Sequence, residues 1–326
     1  MHPITVSSIL VLLLSLLITY NMTYWPISDQ QYKDHITGKV FLLSGASSGI
    51  GEEITYQLAA LGARVVITAR SVDKLERVRE NAVKIHGARE VDIHVMQCDM
   101  SDIEQAINLV PNALAVYGSI DHLILNQAAT PSGPFLKMVS QHDPVFIEKI
   151  YRTNVFSNIQ TSIAAISELE KSGGHILVTS STAGEIPFFI SGLYGSSKHA
   201  LNGFFYSLQQ ELEALKSNVT VSLAALGLIK TKEIGEISDH ITMMPEFFKG
   251  DLSECALVMI DNFIVRAPTV TYPKFAGALG RLMWWLKPLI GDILLLDPNG
   301  YKNAVRMSER AREKSRTTGF QSGNLG

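Results

Sequence analysis

A chain of 326 residues, 46% hydrophobic and 18% charged with no low-complexity tract, can bury one large core, so a single α/β domain with appendages is expected. A formal net charge of −3 gives no footing for nucleic-acid binding, and the basic run from Lys302 to Arg316 is interleaved with Glu309 and Glu313, as on a solvated helix face. Two cysteines far apart in sequence, Cys98 and Cys255, exclude a disulfide framework and a cysteine-based zinc site, and no metal is expected.

Ile4 to Tyr20 carries no charge and sits at the lower edge of what spans a bilayer, with Tyr20, Tyr24 and Trp25 where an interfacial belt would lie. No Lys or Arg precedes it, and Asn21 to Pro26 offers no small-x-small cleavage site. Residues 1–24 therefore read as an uncleaved transmembrane anchor rather than a signal peptide. A polar linker, 25–38, leads into a nucleotide-binding domain over 39–272.

Val40-Phe-Leu-Leu43 is a short apolar strand running into Ser44-Gly-Ala-Ser-Ser-Gly-Ile-Gly51 and a helix from Glu52 to Leu61. Strand, glycine-rich turn and helix together cradle a phosphate. Gly45 permits the turn, Gly49 and Gly51 let backbone and pyrophosphate approach, and Ser47, Ser48 and Ile50 complete the loop at a helix N-terminus. The second strand, Arg64 to Thr68, ends in Ala69-Arg70-Ser71, where the ribose 2′ position of a dinucleotide lies. Arg70 and Ser71 suit a 2′-phosphate, so NADP(H) is expected over NAD(H).

Ser71 to His86 reads as a helix, Val91 to Gln97 as a strand whose end, Asp99-Met100, can meet the adenine, and Asp102 to Tyr117 as a helix. The fourth strand, His122 to Asn126, carries Asn126-Gln-Ala-Ala129 at its tip. This alternation predicts a doubly wound, Rossmann-like parallel sheet. A long helix from Val145 to Lys171 carries Asn154, which its position alone leaves as surface, core or functional.

His175 to Ser180 is a buried strand closed by Ser181, thirteen residues before Tyr194, and Tyr194 and Lys198 stand four apart on one helix face. Two charges about 4 Å apart at an effective dielectric of about 20 interact by roughly 4 kcal/mol before desolvation. The Tyr194 pKa is therefore expected to be drawn below 10 by about one to three units, with Ser181 hydrogen-bonding the same substrate oxygen. Ile186 to Ile190, together with Ile241, Met243, Met244, Phe247 and Phe248, would line an apolar cleft for a lipid-like substrate. Phe275 to Leu296 is apolar but interrupted by Arg281, Lys287, Pro288 and Asp292, so residues 273–326 read as an interfacial or subunit-contact segment with a basic tail. Asn218-Val-Thr220 is a glycosylation sequon.

With Ser44–Gly51, Asp99, Asn126, Asn154, Ser181, Tyr194 and Lys198 in order, residues 36–272 resemble the short-chain dehydrogenase/reductase family. Leu226 to Thr231, Gly203-Phe-Phe205, Glu254-Cys-Ala256 and the N-terminal segment are similar to its branch of type 1 11β-hydroxysteroid dehydrogenases. The resemblance implies that Tyr194 exchanges the proton, Lys198 clamps the ribose and depresses the phenol pKa, and Ser181 holds the carbonyl. It implies that Asn154 holds a water relaying protons to Lys198, and that Ile229 and Thr231 close over the nicotinamide. It also implies a homodimer through the helices 145–171 and 194–217. Departures are Gln127 and Ala129 at the fourth strand tip, Ser48 where steroid-reducing relatives often carry a basic residue, and Phe188 where they carry a tyrosine that can reach a steroid oxygen.

The expected function is a membrane-anchored NADP(H)-dependent oxidoreductase, single-pass in the endoplasmic-reticulum membrane with its catalytic domain lumenal. It would interconvert a ketone and a secondary alcohol on a steroid or similar apolar substrate. Retinoid or xenobiotic carbonyls are the alternative substrates, and a catalytically idle nucleotide-binding membrane protein is the alternative from another class.

Overall fold

The structure is a computed structural model and describes residues 27–130, 144–187, 192–231 and 249–274. Strands β1 (Val40–Ser44), β2 (Arg64–Ala69), β4 (His122–Leu125) and β5 (His175–Ser181) are near-continuous apolar runs buried on both faces, as parallel strands between helical layers must be. With β3 (Ile93–Gln97), β6 (Thr220–Leu226) and β9 (Thr269–Tyr272) they form one sheet of order β3-β2-β1-β4-β5-β6-β9, parallel throughout. A separate two-stranded ribbon joins β7 (Leu228–Ile229) to β8 (Lys249–Gly250).

Alternate residues of each strand feed opposite layers. Phe41 and Leu43 pack with the helices α2 (Gly49–Ala60), α3 (Val72–His86) and α8 (Leu252–Val265). Leu42 and Leu123 pack instead with α4 (Ile103–Tyr117), α6 (Ser157–Ser172) and α7 (Gly192–Ala214). Phe41 meets Phe263 edge-on with centroids 5.1 Å apart, and burying such a ring contributes roughly 2–3 kcal/mol.

Strand order reverses between β1 and β4, which pair in register as Ser44↔Leu125. Their carboxyl ends therefore flank the crevice where doubly wound sheets bind ligands.

Two elements differ from the sequence reading. The linker contains a helix, α1 (Asp29–His35), opened by a reciprocal Ser28/Gln31 capping box and pinned to the domain by Tyr32, whose hydroxyl donates to Asp261 Oδ1 at 2.5 Å. The expected helix 145–171 runs in unbroken helical backbone from α5 (Pro144–Tyr151) into α6, but widens into a π turn over Arg152–Phe156. The wider turn carries the side chain of Asn154 into the protein, where it is fully buried.

Among the described residues no helix is long and apolar enough to cross a membrane. The expected anchor 1–24, the segment 275–326, Phe188 and residues 241–248 lie outside the described residues.

Candidate active site

The crevice begins with the turn after β1. Gly45 has φ +68, and a Cβ there would lie 2.7 Å from the Gln127 backbone, while a Cβ on Gly51 would lie 2.2 Å from the Gly45 carbonyl oxygen. Only glycine lets the two passes of chain come this close. Asn126 secures the turn from β4: its Nδ2 donates to the Gly45 carbonyl at 3.0 Å, and its Oδ1 accepts from Thr179 Oγ1 at 3.1 Å. Gln127 adds a second tie between elements, bonding Ser44 Oγ and donating to Ser157 Oγ at 3.2 Å.

Ser48 enters α2 extended, with no side-chain cap bond, so the first-turn N–H groups of the helix face the loop Ser47–Ile50. Arg70, exposed just past the end of β2, is followed by Ser71, which precedes α3, while Glu52 in the first turn of α2 is paired with Arg77, which also donates to the Ser47 carbonyl at 3.2 Å. Asp99 spends one carboxylate oxygen on the Ser101 N–H and hydroxyl at 2.8 Å, and Met100 is buried, so together they close the end of β3. This close-approach cradle, a helix N-terminus and a basic second strand end fit a dinucleotide.

At the end of β5, Ser181 Oγ accepts from the Ala183 N–H at 3.1 Å and is hydrogen-bonded to the Tyr194 phenol. Tyr194 and Lys198 lie one turn apart on α7, with Lys198 Nζ 5.7 Å from the phenol ring centroid. Lys198 is 1% exposed, and its ammonium donates to the Thr179 carbonyl at 2.8 Å.

The electrostatics correct the sequence reading. Burial pushes the Tyr194 pKa up, opposed only in part by the Ser181 hydrogen bond, and burial pushes Lys198 down to about 7. Desolvation disfavours the charged form of both groups and is the largest cause of each shift. The phenol is thus held protonated at neutral pH rather than made acidic.

Asn154 reaches the tip of β4 with its side chain. Its amide brackets Ala129, accepting from the N–H at 2.7 Å and donating to the carbonyl at 2.9 Å, and it donates to Ser197 Oγ at 3.0 Å. Ser197 in turn donates to the Tyr194 carbonyl at 2.7 Å. The side chain of Asn154 thereby ties the tip of β4 to the helix that carries the Tyr/Lys pair. On the far side, Leu226 at the end of β6 pairs with Ser181, and β7 with Ile229 begins two residues later, followed by Thr231.

Three contributors escaped the sequence reading: Thr179, which receives Lys198 and holds Asn126; Ser197; and Asn202, which accepts from Ser180 Oγ at 2.5 Å and donates to the Gly184 carbonyl at 3.0 Å. Thr179 and Ser180 could have been noticed as polar residues ending an otherwise apolar strand.

A doubly wound parallel sheet with a phosphate-cradling turn on one side of its switch point and a Ser/Tyr/Lys set on the other defines a nucleotide-dependent oxidoreductase fold. The short chain dehydrogenase family model matches residues 39–241. The chain is 30% identical over 285 residues to the Xenopus laevis hydroxysteroid 11-beta-dehydrogenase 1-like protein B, covering 87% of this chain and 91% of that one. It is 36% identical over 246 residues to the Danio rerio hydroxysteroid 11-beta-dehydrogenase 1-like protein, covering 74% and 81%.

Among solved structures it is similar to a Burkholderia phymatum short-chain dehydrogenase/reductase in complex with NAD, with TM-score 0.66, 20% identity and coverage of 78% of this chain and 96% of that one. A Mycobacterium marinum short-chain type dehydrogenase/reductase gives TM-score 0.64, 23% identity and coverage of 75% and 97%. The chain belongs to the short-chain dehydrogenase/reductase family, whose members use NAD(P)(H) and act on alcohol and ketone groups.

Proposed function

We propose that this protein is a membrane-anchored NADP(H)-dependent oxidoreductase that interconverts a ketone and a secondary alcohol on a steroid or similar apolar substrate. The observation that carries the chemistry is the Tyr194 phenol, hydrogen-bonded to Ser181 and one helical turn from a buried Lys198. Arg70 and Ser71 at the end of β2 support NADP(H) over NAD(H), because an acidic side chain there would serve the 2′-hydroxyl and repel a 2′-phosphate. The names of the curated relatives support a steroid-like substrate. The uncharged run Ile4–Tyr20 supports an anchor in the endoplasmic-reticulum membrane, with the catalytic domain lumenal. A homodimer through α5–α6 and α7 is part of the same reading, and exposed Val145, Phe156 and Ile163 support it.

When bound, the nicotinamide supplies or accepts the hydride. The protein supplies orientation and the proton. In the reducing direction, Tyr194 gives its hydroxyl proton to the substrate oxygen, which Ser181 also hydrogen-bonds, and the bond between that proton and the phenol oxygen breaks as the alcohol O–H forms. The phenolate left behind is stabilised by the Ser181 hydroxyl and the Lys198 ammonium. Oxidation runs the same proton back to the phenolate.

The test is a screen of apolar ketones and secondary alcohols with NADPH and NADH followed in parallel, on wild type and Arg70→Ala. Turnover with NADPH, weakened by about tenfold or more in Arg70→Ala while NADH is little affected, is the expected result. Equal use of both nucleotides by both proteins would sink the NADP(H) reading.

A further inference from the structure

β7 and β8 hold Ile229 beside Gly250 beyond the end of β6 that pairs with Ser181, and one residue outside the Ser/Tyr/Lys set supports this ribbon at both stems, by its backbone carbonyl at β7 and by its side chain at β8. It is Tyr272, the last residue of β9, paired in register with Leu226. Its carbonyl accepts from the Gly227 N–H at 2.8 Å, the residue between β6 and β7. Its hydroxyl accepts from the Asp251 N–H at 3.1 Å and donates to Glu254 Oε2 at 2.8 Å, just past β8.

The Tyr272 ring lies flush against Gly250. A Cβ on Gly250 would come within 2.4 Å of Tyr272 Cε1 and 2.8 Å of Ile229 Cδ1. Gly250 passes this position on, because its carbonyl accepts from the Lys230 N–H at 3.0 Å, and the Thr231 N–H then bonds the Ile229 carbonyl at 2.8 Å. Burial and the Glu254 carboxylate raise the Tyr272 pKa, so the hydroxyl stays protonated and keeps both roles, donor and acceptor.

We propose that Tyr272 is a positioning residue for the nicotinamide half of the cofactor: by clasping both stems of the β7–β8 ribbon it sets where Ile229 and Thr231 stand relative to Ser181 and Tyr194. This inference rests on the reading of a nicotinamide nucleotide lying between those residues. It gives Tyr272 no contact with substrate or cofactor. Its effect is transmitted through Gly250, Gly227 and Asp251, and the adenosine half of the crevice, built by the glycine turn and the end of β2, is independent of it.

That division can be measured by binding alone. Dissociation constants for NADPH and for 2′-phospho-ADP-ribose, which lacks the nicotinamide, are determined by calorimetry on the full chain, with thermal unfolding of the same samples. Tyr272→Phe keeps the ring on Gly250 and removes both hydroxyl bonds. It is expected to weaken NADPH by about fivefold to tenfold and 2′-phospho-ADP-ribose by less than about twofold. Glu254→Gln, which leaves the hydroxyl in place and removes only its charged acceptor, is expected to show the same split at smaller size and serves if the Phe variant does not fold. Equal weakening of both probes, or no weakening of either in a folded variant, overturns the positioning role. A wild type that binds neither probe overturns the nucleotide reading and this inference together.

Discussion

The ammonium of Lys198 donates to the carbonyl oxygen of Thr179 at 2.8 Å, so the cation that serves Tyr194 is anchored to β5 and not to the helix that carries it. The bond fixes the distance between sheet and helix at the catalytic pair. It also holds a charge out of water, and the pKa of about 7 records that cost.

Replacing Lys198 by Met should therefore stabilise the fold while removing activity. The group's pKa is lower folded than unfolded, so between pH 7 and about 10 the unfolded chain binds a proton that the folded chain does not, and stability rises with pH across that window. Lys198→Met is expected to gain on the order of 3 kcal/mol at pH 7 and to lose this slope. Urea unfolding from pH 7 to 9 checks it, and a Met variant with the wild-type slope would contradict the assignment.

The acid side is governed elsewhere. His122 and His175 sit in neighbouring strands around Phe263, with ring centroids 5.0 and 5.2 Å from it, and burial drives the His122 pKa down to about 3 and that of His175 well below its ordinary value. Both stay neutral in the fold and charge in the unfolded chain, so the stability they confer is present above about pH 6.5 and falls as pH drops below it. The loss from His122 alone should be on the order of 2 kcal/mol by pH 5. His122→Phe is expected to flatten this acid limb in thermal unfolding between pH 7 and 5.

Asn154→Ala removes three hydrogen bonds, one buried and two part-buried, and leaves the Ala129 backbone groups and the Ser197 hydroxyl to find new partners. A destabilisation of about 3 kcal/mol is expected in urea unfolding. Asn154→Asp should recover only the Ala129 N–H bond, since a carboxylate cannot donate to the Ala129 carbonyl.

The fold was legible where the physics is local. Runs such as Phe41-Leu-Leu43 and Ile176-Leu-Val178 announce strands buried on both faces, and the spacing of Gly45, Gly49 and Gly51 announces a close approach that only glycine allows. Tyr194 and Lys198 could be placed on one helix face by counting. What could not be read depends on tertiary surroundings. The extra residue of the π turn at Asn154 leaves the apolar rhythm on either side intact. The partners of Asn126 and Lys198 come from β1 and β5. The direction of the Tyr194 shift is set by burial, which spacing does not reveal. The Ser28/Gln31 capping box of α1 falls in the stretch expected as a polar linker, and the tether from Tyr32 to Asp261 shows why so polar a helix docks.

The proton donor is the centre of the account, and Tyr194→Phe tests it most directly, because the change deletes one oxygen and keeps the ring beside Lys198. Turnover of an apolar ketone with NADPH is expected to fall by about a thousandfold, in the range general acid catalysis supplies, while the dissociation constant for NADPH stays within about twofold of wild type. A Phe variant that keeps turnover within about tenfold of wild type would contradict it.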